Sequence, residues 1–138
     1  MTESDNDDLR LAIMRLSRRM RAERAGDDVT DGQLSVLIVL FKEGPQTLGS
    51  LAEHERVTPP SINRTVNALV EAGLVSRDAS PDDGRKVHLR LTERGTEIVS
   101  ETKRRRVAWF ARQLATLTPA QRAALDVAAP ILRELADS

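Results

Sequence analysis

The side chains best placed to do chemistry in this chain are hydrogen-bond donors. Asn63, Arg64 and Asn67 stand close together, and Arg85, Lys86, His88 and Arg90 follow within the run Asp83-Gly-Arg-Lys-Val-His-Leu-Arg-Leu-Thr-Glu-Arg-Gly95. Guanidinium, ammonium and amide groups suit phosphate oxygens and base edges: Asn matches adenine and Arg matches guanine. Bond-making chemistry has no comparable set. There is no glycine-rich phosphate loop after a strand, no nucleophile elbow, no HExxH and no His–acid–nucleophile spacing, so no catalytic residue is assigned and an enzyme is not expected. His54 and His88 read as ordinary polar residues. Glu53, His54 and Glu55 could be drawn as a metal site, but adjacent residues on a helix point in different directions. No metal or cofactor is expected. The absence of cysteine removes disulfides, thiolate metal sites and thiol redox sensing together.

These donors need a scaffold. A chain of 138 residues, 40% hydrophobic and 30% charged, makes one folded domain, or one domain with an oligomerisation appendage. No apolar run approaches the ~18 residues that span a bilayer, and no signal peptide is visible, so a cytoplasmic location is expected. The formal net charge is zero, but the charges are segregated. Glu3, Asp5, Asp7 and Asp8 form an acidic start, and cations gather at Arg15–Arg24, Arg64, Arg77–Arg90 and Lys103–Arg106.

Residues 1–8 are expected to be disordered. A helix is predicted over 9–24, with Leu9, Ile13, Leu16 and Met20 on one stripe and Arg10, Arg18 and Arg21 opposite. Thr30 and Gln33 form a capping box for a second helix to about 43, apolar nearly all round and therefore central, ended by Gly44-Pro45. Thr47 caps a short helix through about His54. Thr58 caps another, with Pro59 at its first position and Gly73 at its end. Two short helices with a tight connection make a helix-turn-helix. Leu74–Arg77 and Val87–Leu91 are alternating runs about a polar loop, hence a hairpin, with Val87, Leu89 and Leu91 on one face. Thr92 caps a long helix that reaches about Ala115. Thr118 and Gln121 box the last helix, to about Leu135, with Pro130 expected to kink it.

The fold class is therefore mainly α with a small β-hairpin wing: a winged helix-turn-helix lobe over 30–91, and helical dimerisation segments over 9–29 and 92–138. On a helical wheel of 59–72, Ile62, Val66 and Leu69 face the core, while Pro60, Arg64, Asn67 and Glu71 lie opposite, flanked by Ser61 and Asn63. Asn63, Arg64 and Asn67 are candidate base readers, and Ser61 and Thr65 suit phosphates. Arg85 is the candidate for the minor groove and Lys86 for a phosphate. Asp83 is placed to hold the Arg85 guanidinium, and Asp82, Asp83 and Gly84 also make an ordinary turn. Arg77 either braces the wing or touches a phosphate.

The segment Leu51-Ala-Glu-His-Glu-Arg-Val-Thr-Pro-Pro-Ser-Ile-Asn-Arg-Thr-Val-Asn-Ala-Leu-Val-Glu-Ala-Gly-Leu-Val75, with Asp83 through Gly95, resembles the helix-turn-helix and wing of the MarR family of bacterial regulators. The resemblance spans about residues 9–135. It implies a homodimer with interdigitated first, fifth and sixth helices, and two lobes binding a palindromic operator in double-stranded DNA. It also implies transcriptional repression relieved by a small aromatic or phenolic effector between the dimer base and the lobe. Members that sense oxidants use a cysteine, which is absent here, and the lack of Tyr leaves little stacking surface for a phenol.

Residues point to the dimer independently. Leu9, Ile13, Leu16 and Met20 in the first helix need a partner. So do Trp109, Phe110, Leu114, Leu125, Ile131, Leu132 and Leu135, which exceed what a small lobe absorbs. Arg15, Arg19 and Trp109 are candidate effector contacts. The rival reading is a winged helix used for protein contacts, or a non-specific architectural DNA binder. Selective, steeply salt-dependent DNA affinity separates the readings.

Overall fold

Every described helix of the computed structural model opens on a threonine. The structure describes residues 2–26, 28–79, 84 and 86–138. Along the chain run α1 (Glu3–Ala22), α2 (Asp31–Glu43), α3 (Leu48–Glu55), α4 (Pro59–Glu71), β1 (Val75–Ala79), β2 (Val87–Leu91), α5 (Glu93–Leu114) and α6 (Pro119–Ala136). The hydroxyls of Thr2, Thr30, Thr47, Thr58, Thr92 and Thr118 each accept the third amide of their helix, at 3.1–3.4 Å. A cap of this kind contributes about 1 kcal/mol.

The first of these caps corrects the expectation of a disordered start. The helix begins at Glu3, not at residue 9, because Thr2 and Asp5 form a reciprocal capping box. Acidic residues are favoured in a first turn, where the helix dipole is positive. The Thr2 backbone amide, then its hydroxyl, donate to the Asp5 carboxylate and hold its pKa below the usual range.

The core gathers on α2. Leu34, Val36, Leu37 and Leu40 are buried among Leu51, Ile62, Val66, Leu69, Val75 and Leu89. Apolar residues on nearly every side suit an element that packs on α3, α4, α5 and β2 at once.

The hairpin pairs Val75 with Leu91, Arg77 with Leu89 and Ala79 with Val87 on one face, and Ser76 with Arg90 and Asp78 with His88 on the other. Val87 shares the face of Leu89 as the alternation requires, yet it is 48% exposed. Val87 stands at the outer end of the described hairpin, beyond the buried Leu89. Gln46 adds a one-residue third strand: its amide donates to the Leu89 carbonyl at 3.0 Å, and the Leu89 amide donates back at 2.7 Å. A single bridging residue carries no periodicity, and the sequence reading missed it.

The link between α1 and α2 is held by α5. Thr102, buried, accepts the Ala25 amide at 3.0 Å. Arg105 donates to the Arg24 carbonyl at 2.9 Å, and Arg106 to the Glu23 carbonyl at 3.1 Å. Two members of the Lys103–Arg106 run thus satisfy carbonyls where α1 ends. Burial, then the neighbouring Arg21 cation, lowers the Arg106 pKa.

No residue of α1 or α6 is buried. Leu9, Ile13 and Leu16 are exposed, as are Leu125, Ile131, Leu132 and Leu135. Met20, Phe110 and Leu114 are half-buried. Trp109 differs from the expectation of an open dimer face: it is only 6% exposed, and the Arg19 guanidinium lies 5.7 Å from its ring centroid. That is cation–π distance. α6 continues through Pro130, which lacks the N–H for that position's helical bond.

Candidate nucleic-acid interface

The putting together of α3 and α4 depends on two matching stops. At the end of α4, Gly73 (φ 76°) donates to the Val70 carbonyl and Leu74 to that of Leu69, both at 3.0 Å. At the end of α3, Arg56 (φ 54°) donates to the Glu53 carbonyl at 3.2 Å and Val57 to that of Ala52 at 3.1 Å. These are the paired bonds of the Schellman motif, in which the left-handed residue is usually glycine. Here one of the two is an arginine.

Thr58 and Pro59 then start α4, whose Ile62, Val66 and Leu69 are buried. Pro60, Asn63, Arg64 and Asn67 are exposed on the opposite side. Ser61 and Thr65 are half-buried, and the Thr65 hydroxyl donates to the Ser61 carbonyl at 3.3 Å. Its one proton is thereby committed within the helix, leaving Ser61 as the better placed of the two for a phosphate. The face carries amides and a guanidinium with no acidic group before Glu71, the donor set that a polyanion and base edges require.

The hairpin stands beside α4. Arg77, on the β1 face shared with Val75 and Leu89, donates through Nη2 to Oδ1 of Asn67. This contact is that of a brace, and its partner is a candidate base reader. Lys86 is exposed. Asp83 and Arg85 lie outside the described residues. On the outer hairpin face Arg90 pairs with Asp78 at 3.4 Å, a contact exposed enough to contribute ~0–1 kcal/mol.

Thr92 and Gly95 set the angle between α4 and α5. The Thr92 hydroxyl donates to the Gly73 carbonyl at 2.7 Å, and its amide donates to the Leu74 carbonyl at 3.1 Å. A Cβ on Gly95 would collide with that same Leu74 carbonyl oxygen. The Leu-Thr-x-x-Gly pattern is thus a joint: threonine to cap and tie, glycine to let the backbone approach.

A cleft of about 400 Å³ opens between the end of α1, α2, α3 and α5, lined by Arg21, Asp31, Ser35, Lys42, His54 and Arg106 among others. Arg15, Arg19 and Trp109 do not line it. Position in the chain, not residue type, separates the two arginine sets: Arg21 sits at the end of α1, where the chain turns toward α2.

Comparison with known proteins agrees with this geometry. The MarR family model matches residues 29–87. The uncharacterized HTH-type transcriptional regulator Mb0904 of Mycobacterium bovis is 43% identical over 130 residues, covering 94% of this chain and 91% of its own. The HTH-type transcriptional repressor MdtR of Bacillus subtilis is 30% identical over 115 residues, covering 80% and 74%. Among solved structures, RV1404 from Mycobacterium tuberculosis superposes with a TM-score of 0.86 at 28% identity, over 100% of this chain and 97% of that one. A MarR family protein from Bacillus stearothermophilus shares the fold at a TM-score of 0.81 and 22% identity, over 100% and 99%. With its helix-turn-helix, its hairpin and relatives matched along almost its whole length, the chain belongs to the MarR family of winged helix-turn-helix transcriptional regulators.

Proposed function

We propose that the protein is a homodimeric repressor that binds a palindromic operator and is released by a small-molecule effector. The observation that carries this reading is the outer face of α4, where Asn63, Arg64 and Asn67 are exposed and Arg77 of the hairpin holds Asn67. Repression is supported by relatives that are named repressors, MdtR of Bacillus subtilis among them. Dimerisation is supported by the apolar side chains that α1 and α6 leave uncovered. Residues 30–91 then form the reading lobe, and 9–29 with 92–138 form the base. A two-fold dimer places its recognition helices about one DNA turn, ~34 Å, apart.

For the effector we favour the cleft bounded by Arg21, Lys42, His54 and Arg106, with Asp31 and Glu43 also on its wall, over Arg15, Arg19 and Trp109, which do not line it. A ligand there touches α3 of the lobe and the α1–α5 junction of the base together, so it can favour one lobe spacing over another. Its chemistry remains that of a small aromatic compound, with an anionic group to meet the arginines.

The test is fluorescence anisotropy of the protein with its own upstream intergenic DNA at two salt concentrations, beside an unrelated duplex. Selective binding that weakens steeply with salt is expected. Equal weak binding to both duplexes would overturn the operator-specific reading, and absence of binding at low salt would favour a protein-contact role.

A further inference from the structure

We propose that Arg77 is a positioning residue that makes Asn67 a hydrogen-bond donor in the major groove, so that Asn67 selects guanine over adenine. The inference rests on the reading of α4 as the DNA-recognition helix.

Arg77 reaches Asn67 from β1, across the hairpin face that looks toward α4. Arginine carries donors only, so the amide atom that faces it must be Oδ1. The orientation of this amide is therefore fixed by chemistry and not by which atom was labelled oxygen. With Oδ1 drawn to the guanidinium, Nδ2 and its two hydrogens are left for another partner. Asn67 is exposed on the same helix face as Arg64 and Pro60.

Reading adenine takes both halves of the amide: Nδ2 donates to N7 while Oδ1 accepts from the N6 amino group. Here Arg77 takes one of the two acceptor positions of Oδ1, and its full positive charge stands beside the other. The adenine amino hydrogens, themselves positive, meet that charge unfavourably. Guanine offers N7 and O6, two acceptors, to the same edge. Orientation and electrostatics thus favour the same base. An unbraced asparagine on this face would favour the other.

The experiment selects duplexes from a random library with the full-length protein and sequences the bound fraction. Wild type, Asn67→Ala, Arg77→Ala and Arg77→Lys are compared, and the column that Asn67→Ala erases marks the base read by Asn67. Guanine is expected in that column for wild type. Arg77→Ala should shift its guanine-to-adenine ratio toward adenine by about tenfold with other columns unchanged, since one such pair discriminates by roughly that much or more. Arg77→Lys, which keeps a donor and a charge, should retain guanine. If the alanine variant does not fold, Arg77→Gln repeats the comparison. Adenine in the wild-type column, or a uniform loss across all columns in Arg77→Ala, would overturn the assignment while leaving sequence-specific binding intact. A library from which wild type selects no motif would overturn that underlying reading and this assignment with it.

Discussion

Thr92 and Gly73 are joined by a 2.7 Å hydrogen bond from the threonine hydroxyl to the glycine carbonyl. The Thr92 hydroxyl oxygen also accepts the Gly95 amide at 3.1 Å. One side chain therefore starts α5 and ties it to the end of α4, the proposed reading helix. Thr92→Val keeps the shape and loses both bonds, and should lower unfolding free energy by about 1–3 kcal/mol. Gly95→Ala should cost at least as much, because the obstructing atom is backbone. Urea denaturation of both variants measures this; an unchanged midpoint for Gly95→Ala would show that α5 can slide.

Arg56→Gly should stabilise the protein. The left-handed region costs an L residue with a side chain about 1–2 kcal/mol, and glycine relieves much of that. The expected gain is about 1 kcal/mol in the same denaturation experiment. A gain in stability with a loss of DNA affinity would show that the cation is retained there for binding.

Arg64→Ala should cost about 1–3 kcal/mol of operator affinity and relax base preference in one column. The measurement is anisotropy on the selected operator and on its single-base variants. An unchanged affinity would remove Arg64 from the reading surface.

Ile131 is 55% exposed and Leu132 39% exposed on a helix with no buried residue. Ile131→Asp should give a monomer in sedimentation equilibrium and weaken operator binding. Burying one such side chain contributes about 1.5–3 kcal/mol, and two-fold symmetry counts it twice. A dimer undisturbed by the charge would place the interface elsewhere.

The start of α1 should fray in acid. The Asp5 pKa is lowered from its ordinary 3.8, so the carboxylate's contribution is complete above that value and fades as pH falls through the lower folded value. Amide protection factors at residues 3–8, corrected for the intrinsic pH dependence of exchange, should fall in acid in wild type and be low at both pH values in Asp5→Asn.

What was legible in the sequence was what local chemistry decides. Thr30, Thr47, Thr58, Thr92 and Thr118 announce helix starts because a cap needs only the next three residues. The inward set Ile62, Val66 and Leu69 follows from helical spacing alone. Contacts between segments distant in the chain left no such trace. Nothing in Lys103–Arg106 says that two of its arginines close the end of α1, and nothing at Gln46 announces a strand. Arg77 could be placed on the hairpin, but its partner on α4 lies across a fold that the spacing does not specify. The acidic start differs for another reason: its charge density suggests disorder, while Thr2 with Asp5 is a local helix signal of the same kind as the others.

The geometry of α5 has a mechanical consequence. Between Glu93, beside the Thr92 tie, and Arg106, at the α1 junction, the helix rises ~20 Å at about 1.5 Å per residue. A rigid rod of that length, tilted ~10° at its Arg106 end, carries its other end through ~3.5 Å, roughly the 3.4 Å spacing of one base step along a strand. The Thr92 bond to the Gly73 carbonyl ties that end of α5 to α4. In the proposed operator complex, small rotations at the base would thus shift α4 by about one base step on the duplex.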